Sequence, residues 1–167
     1  SGFLGTLHVM QAAHPYLVTR QGVIINVISG AMLGGFGKSG VYGAVKAAIR
    51  TLTRSAAVEW GPQGVRVNAV CPQYIESDLL SRVIDHEMKK RNIDRPTAAA
   101  GFTRALPLGR TGTVEEVADL TAFVVSDRAN FITGINHWNA RIGGQHTKGH
   151  IHHFLLFEQG YNPVCIV

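Results

Sequence analysis

Cysteine is scarce in this 167-residue chain: Cys71 and Cys165 alone cannot build a disulfide framework. Two unpaired thiols fit a reducing cytoplasm better than an oxidising compartment. Long apolar runs are missing as well. No stretch reaches the roughly 18 residues that a membrane span requires, and the amino end carries no secretory leader pattern, so no membrane partner is expected. Charge is sparse, at 16% of residues, and 16 basic against 11 acidic side chains leave a net charge of +5. The basic residues are scattered apart from Lys89-Lys90-Arg91, near the end of an expected helix, where cations complement the helix dipole. Without a basic stripe interleaved with aromatics, nucleic acid is not an expected partner. The chain opens at Ser1 and its first methionine is Met10, as in a processed or truncated product.

What the chain does have is 46% apolar residues and 19 glycines, the composition of one compact α/β domain able to bury a core. It is organised around residues 22 to 46. The run Val23, Ile24, Ile25, Val27, Ile28 reads as a buried strand ending at Ser29. In an open α/β sheet, ligands sit beyond the carboxyl ends of the strands, which puts Ser29 at the mouth of the crevice. Tyr42 follows at the start of a helix, and Lys46 lies one turn further on the same face. A phenol of pKa about 10 is a poor proton carrier at neutral pH, but an ammonium beside a phenol favours the phenolate. A serine hydroxyl aimed at the same spot can hold a carbonyl or alcohol oxygen while the phenol gives or takes its proton. No side chain supplies hydride, so such chemistry needs a carrier.

These residues resemble the short-chain dehydrogenase/reductase (SDR) family, of the classical type that includes 3-oxoacyl-carrier-protein reductases. Beside Ser29 and Tyr42-x-x-x-Lys46, the likeness rests on Asn26, on Val65-Arg66-Val67-Asn68-Ala69-Val70-Cys71-Pro72, on Pro107-Leu108-Gly109-Arg110 with Gly112 and Glu116-Val117-Ala118, and on Ile132-Thr133-Gly134. It covers roughly residues 1 to 144 and leaves 145 to 167 as an atypical tail. The resemblance implies Ser29, Tyr42 and Lys46 as catalytic residues and NAD or NADP as cofactor. Tyr42, Lys46, Pro72, Ile75 and Ser77 would contact that cofactor, the backbone after Pro72 lining the nicotinamide and Ser77 meeting the nicotinamide amide or the pyrophosphate. It also implies a small carbonyl or alcohol substrate, and a homo-oligomer formed through the helices near 3 to 20 and 42 to 60.

Measured against the family, the amino-terminal nucleotide half is missing: neither a Gly-rich first turn nor an adenosine pocket precedes the first helix. Aligning Leu4-Gly5-Thr6 puts Gly2 where family members carry a catalytic asparagine. The loop Gly35-x-Gly37-x-x-Gly40 formally matches a dinucleotide fingerprint, with Glu59 about twenty residues on, but it does not follow its strand directly and Glu59 falls inside a helix. Gly37-Lys38-Ser39 echoes a Walker A end, yet Met32 stands where its first glycine belongs. The loop reads as a flexible segment on the substrate side.

Further along, Pro15 is expected to kink or end the first helix, and Gly61-Pro62 to stop the second. Gln73 replaces a family glycine, a strained choice if that backbone needs positive φ. Ser77 doubles as helix cap for Asp78-Leu79-Leu80. Residues 78 to 91 would form a helix over the substrate, and 92 to 104 a lid loop. Thr113 to Glu116 is a capping box whose helix presents Val114, Val117, Ala118, Thr121, Val124 and Val125 as one apolar face. In the tail, His146, His150, His152 and His153 offer nitrogen ligands, but without Cys-x-x-Cys or helix-spaced definition no metal is assigned. The run Phe154-Leu155-Leu156-Phe157 is expected to pack against the domain or a neighbour.

The fold class expected is therefore α/β, a partial Rossmann-like doubly wound parallel sheet. Its three strands lie near 23 to 28, 65 to 71 and 134 to 142, with flanking helices. The open edge of the first strand needs a cover, from the tail, a second copy or a separate amino-terminal fragment. Two functions follow: an NAD(P)-dependent oxidoreductase interconverting a carbonyl and a secondary alcohol, or a truncated, non-catalytic SDR-derived scaffold or binding module.

Overall fold

The computed structural model describes residues 2–33, 39–104, 106–138 and 165–166. Its sheet is built by the β-branched runs. In β1 (Val23–Val27) the first four residues are buried, and in β2 (Arg66–Cys71) all six are, as strands covered on both faces should be. The two pair in parallel from Val23↔Arg66 to Val27↔Val70. After α1 (Gly2–Val18) and β1, the long α2 (Gly40–Trp60) makes the crossover to β2.

Alternation sends successive side chains to opposite faces. Ile24 and Val67 point to the layer of α1 and α2, where they pack with Met10, Leu17, Ala56, Ala57 and Val65. Val23, Ile25 and Val70 point the other way, against Val124 of α5 (Val114–Val125). Helices thus cover both faces of a partial Rossmann-like sheet. Among the described residues no helix is long and apolar enough to cross a membrane.

The third strand is shorter than expected. β3 (Asn136–Trp138) pairs in parallel with β2 from Ala69↔Asn136 to Cys71↔Trp138, while residues 139 to 142 lie outside the described residues. It begins late because Gly134, at φ +73°, turns the chain first. Buried Asn68 fixes that turn by donating to the Ile132 carbonyl and accepting from the Ile135 N–H. In the strand order β3-β2-β1-β4, β3 is an edge strand. That is why His137 is tolerated: its ring is partly buried, and burial lowers its pKa.

A fourth strand, β4 (Cys165–Ile166), lies parallel to β1 through Ile24↔Cys165 and Ile25↔Ile166. Of the three covers left open by the sequence, the chain's own tail meets this edge. The histidines and the 154 to 157 run fall outside the described residues, as do the loop 34 to 38 and Arg141 to Gly144. Among the described residues no group of three or more His, Cys, Asp or Glu gathers as a metal site would.

Helix boundaries also differ from expectation. Pro15 neither starts a loop nor ends α1, which runs on through it for its last turn. The expected lid loop is largely helix: α3 (Asp78–Arg91) is followed by α4 (Arg95–Thr103). Asp94 caps α4 by accepting from the Thr97 N–H at 3.0 Å, with Pro96 in the first turn, a start signal that a reading by polarity overlooks. Hydrogen bonding from Thr97, its side chain first and its backbone N–H second, holds the Asp94 carboxyl below the usual carboxylate range. The capping box at Thr113 and Glu116 forms as expected. The apolar face follows the expected set in part: Val117, Val124 and Val125 pack in the core, joined by Leu120 and Phe123, while Val114 and Ala118 are exposed.

Candidate active site

Ser29 follows β1, and α2, which carries Tyr42 and Lys46, is brought to the same strand end by how β1, the turn after it and α2 fit together. Beyond β1 the chain enters a 3-10 turn, Gly30–Leu33, in which the Met32 N–H donates to the Ser29 carbonyl at 3.1 Å. The Ser29 hydroxyl oxygen accepts a long bond from the Ala31 N–H at 3.4 Å, so its own proton remains available to another acceptor. The first turn of α2 presses directly on this turn. At Gly43, next to Tyr42, an added Cβ would sit 2.6 Å from the Ala31 carbonyl oxygen. Only glycine permits that approach.

Lys46 then bridges from α2 to the strand end. Its Nζ donates to the Val27 carbonyl at 2.6 Å and stands 5.9 Å from the centroid of the Tyr42 ring. The ammonium is anchored on the last residue of β1 with the phenol one turn before it. Tyr42 is 52% exposed, so a small molecule can reach its hydroxyl. Gly2, where the family asparagine is expected, has its Cα facing Val45 of α2, 3.3 Å from where a Cβ would stand, and offers no amide. Asn26 does not replace it. Fully buried, its Nδ2 donates to the Thr53 hydroxyl at 2.9 Å and the Met10 sulfur at 3.3 Å, which makes it a core tie between β1, α1 and α2.

The segment after β2 forms the other wall. Ile75 bridges to Gly112 in parallel fashion: the Gly112 N–H donates to the Tyr74 carbonyl at 3.0 Å and the Glu76 N–H to the Gly112 carbonyl at 2.8 Å. This pattern uses the groups of Tyr74 and Glu76 and leaves those of Ile75 facing away from Gly112. The Ile75 carbonyl accepts from the Ser77 hydroxyl at 3.2 Å, and that hydroxyl oxygen caps α3 through the Leu80 N–H at 3.3 Å. The Ile75 N–H has no hydrogen-bond partner among the described residues. A free N–H beside a hydroxyl can hold a carboxamide. Gln73 is not among the non-glycine residues at positive φ, so the turn accepts a side chain without strain.

A cleft of about 150 Å³ runs along this wall, lined by Gln73, Tyr74, Ile75, Leu106, Leu108 and the Arg110–Glu116 pair among others. The Arg110 guanidinium and the Thr113 N–H hold the Glu116 carboxyl down at about 2. Behind the site, burial pushes the Cys71 thiol up to about 12 against the weaker pull of the Arg50 and Lys46 charges. Cys71 is therefore a neutral core residue. Sequence reading missed the Val27 carbonyl, Gly43 and the placement of the Gln73 side chain. Only Gly43 carried a signal, as a glycine inside a helix beside the tyrosine.

Residues 3–139 match the family model described as Enoyl-(Acyl carrier protein) reductase. Among curated relatives, Senescence-associated protein 13 of Arabidopsis thaliana is 36% identical over 128 residues, covering 76% of this chain and 44% of that protein. Sorbitol-6-phosphate 2-dehydrogenase of Klebsiella pneumoniae is 37% identical over 150 residues, covering 87% of this chain and 55% of the relative. Among solved structures, NAD+-bound xylitol dehydrogenase superposes with a TM-score of 0.74 at 29% identity, over 83% of this chain and 56% of that one. The chain spans about half the length of the curated relatives it matches.

Proposed function

The chain belongs to the short-chain dehydrogenase/reductase family, and from that premise we propose that it carries the catalytic half of an NAD- or NADP-dependent oxidoreductase interconverting a small carbonyl compound and its secondary alcohol. The observation that carries this reading is the Lys46 ammonium fixed on the Val27 carbonyl, two residues before Ser29 in the chain and one turn from an accessible Tyr42. A nicotinamide, when bound, supplies or removes the hydride. The Ile75 N–H, without a partner among the described residues, and the Ser77 hydroxyl fit its carboxamide, with the backbone of Pro72 beside them. Ser29 donates its hydroxyl proton to the substrate oxygen and orients it. In reduction Tyr42 gives its phenolic proton to that oxygen as negative charge develops there; in oxidation it takes the proton back. Lys46 holds positive charge beside the phenolate that remains, and its position suits a ribose hydroxyl as well. Gly2 leaves the proton path without the family asparagine.

Titration with NADH and NADPH, followed by nicotinamide fluorescence, tests the reading. Saturable binding is expected, and Tyr42→Phe should retain that affinity while losing at least about 100-fold in turnover. Undiminished turnover in the variant would remove Tyr42 from the mechanism. Saturable binding would defeat the rival, a non-catalytic SDR-derived scaffold, whereas binding that appears only once a longer amino-terminal segment is restored would defeat the autonomy of this chain. One observation supports self-association under either reading: Leu4, Val9 and Tyr16 of α1 and Val58 of α2 are exposed, and a second copy would cover them. We include a homo-oligomer through α1 and α2 in the proposal.

A further inference from the structure

The side chain of Gln73 lies over the backbone immediately after Ser29. A Cβ built on Gly30 would stand 2.6 Å from Gln73 Nε2 and 2.8 Å from its Oε1, so the amide covers the Cα of Gly30 and fills the space a larger residue would need. Gln73 comes from the end of β2 and Gly30 from the end of β1, adjacent strands, so the amide stands on the same carboxyl edge as the Ser29 hydroxyl. It is partly buried yet has no hydrogen-bond partner among the described residues. Neither its nitrogen nor its oxygen is enclosed without a partner, so both stand open at the crevice edge to a ligand. The arrangement suits a group that completes its bonds when a ligand enters.

We propose that Gln73 is a specificity-determining residue that binds a second oxygen of the substrate, a hydroxyl or carbonyl on the carbon next to the reacting one. This rests on the oxidoreductase reading above and narrows its substrate class to neutral vicinal diols, hydroxyketones and diketones. The amide offers both a donor and an acceptor, so it serves the second oxygen whether that is an alcohol or a ketone. A substrate oxygen held between Ser29 and Tyr42 leaves its neighbouring carbon within reach of the edge that Gln73 covers. Charge argues for neutrality. Among the described residues lining the neighbouring cleft, the one cation, Arg110, is paired with Glu116 through its two terminal guanidinium nitrogens, so no described residue of that cleft offers an unpaired cation to a carboxylate or phosphate.

Proton–nitrogen correlation NMR of the whole chain with oxidised NAD present tests this, using acetoin as the probe with a second oxygen and butanone as the probe without one. The side-chain amide resonances of Gln73 are identified by their loss in Gln73→Leu. Acetoin is expected to shift those resonances together with the backbone signals of Ser29 and Tyr42, and butanone to shift only the latter. In Gln73→Leu the ratio of acetoin to butanone affinity should fall about tenfold, as for one lost hydrogen bond. Gly30→Ala, whose methyl displaces the amide without touching it chemically, should lower the same ratio. Shifts at Ser29 and Tyr42 with an unmoved Gln73 amide, or an unchanged ratio in both variants, would overturn the role of Gln73 and leave the oxidoreductase reading standing. If neither compound moves any of these signals, both fall together.

Discussion

The Lys46 ammonium stands 5.9 Å from the centroid of the Tyr42 ring, and the absent side chain at Gly43 lets the start of α2 close on the turn after β1. Adding a methyl there drives a carbon against the Ala31 carbonyl at 2.6 Å, which only a shift of the α2 start or of the turn can relieve. Gly43→Ala is therefore expected to keep the fold, with an unchanged circular dichroism spectrum, while turnover drops by about ten- to a hundredfold through misplacement of Tyr42. Cys71 sets a different expectation. Its thiol titrates at about 12 in the native protein against an ordinary 9.0. Below about pH 9 both states keep the proton and no stability difference arises. Above that the unfolded chain ionises and the native one does not, so stability declines with rising pH. In a Cys165→Ser background at pH 8, a disulfide reagent should find no fast thiol until the protein is unfolded. The serine, tyrosine and lysine were legible in the sequence because their spacing fits a strand end and one helix turn. The Val27 carbonyl was not, since a backbone acceptor leaves no mark on residue identity.

At the scale of elements, the Thr113 capping box shows what local sequence determines well. Thr113, Glu116 and the following apolar run lie within one turn, so no distant contact can redirect them, and both reciprocal bonds form. Glu116 also pairs with Arg110, and these partners depress its carboxyl to about 2 from 4.5. A depressed carboxylate contributes stability above its unfolded value and loses it as pH falls from about 4.5 towards 2. Thermal unfolding followed between pH 5 and 2 should therefore show a steeper acid decline in the native chain than in Glu116→Gln, with the difference vanishing at the low end. The 92 to 104 segment shows where local reading fails: its polarity suggested a loop, but Asp94 and Pro96 start a helix that α3 then steadies through Arg95, paired with Asp85 and Ser81. The length of β3 was equally illegible, because it depends on how Asn68 in another strand pins residues 132 and 135.

For the molecule as a whole, the decisive fact is that β1 is no longer an edge. Two residues of the tail pair with Ile24 and Ile25, which blocks the ready-made template that an exposed parallel strand presents to other chains. Deleting residues 165 to 167 should turn a species of discrete size, seen by size exclusion with light scattering, into one that grows with concentration and time. A chain whose size distribution is unchanged by the deletion would show that the tail does not guard this strand. The parallel order of the sheet was readable from the alternation of strands with long helices. The identity of the strand beside β1 was not, since a two-residue pairing has no periodicity to detect. The bridge between Ile75 and Gly112 carries a last consequence. It clips together the two points at which the chain departs for α3 and returns after α4, and those two helices make their main contact with each other. The excursion is thus a cassette on a fixed mount: its length and residues can be exchanged at little cost to the sheet, so new ligand preferences can arise by swapping one contiguous stretch while Ser29, Tyr42 and Lys46, the residues proposed to handle the proton, stay in place.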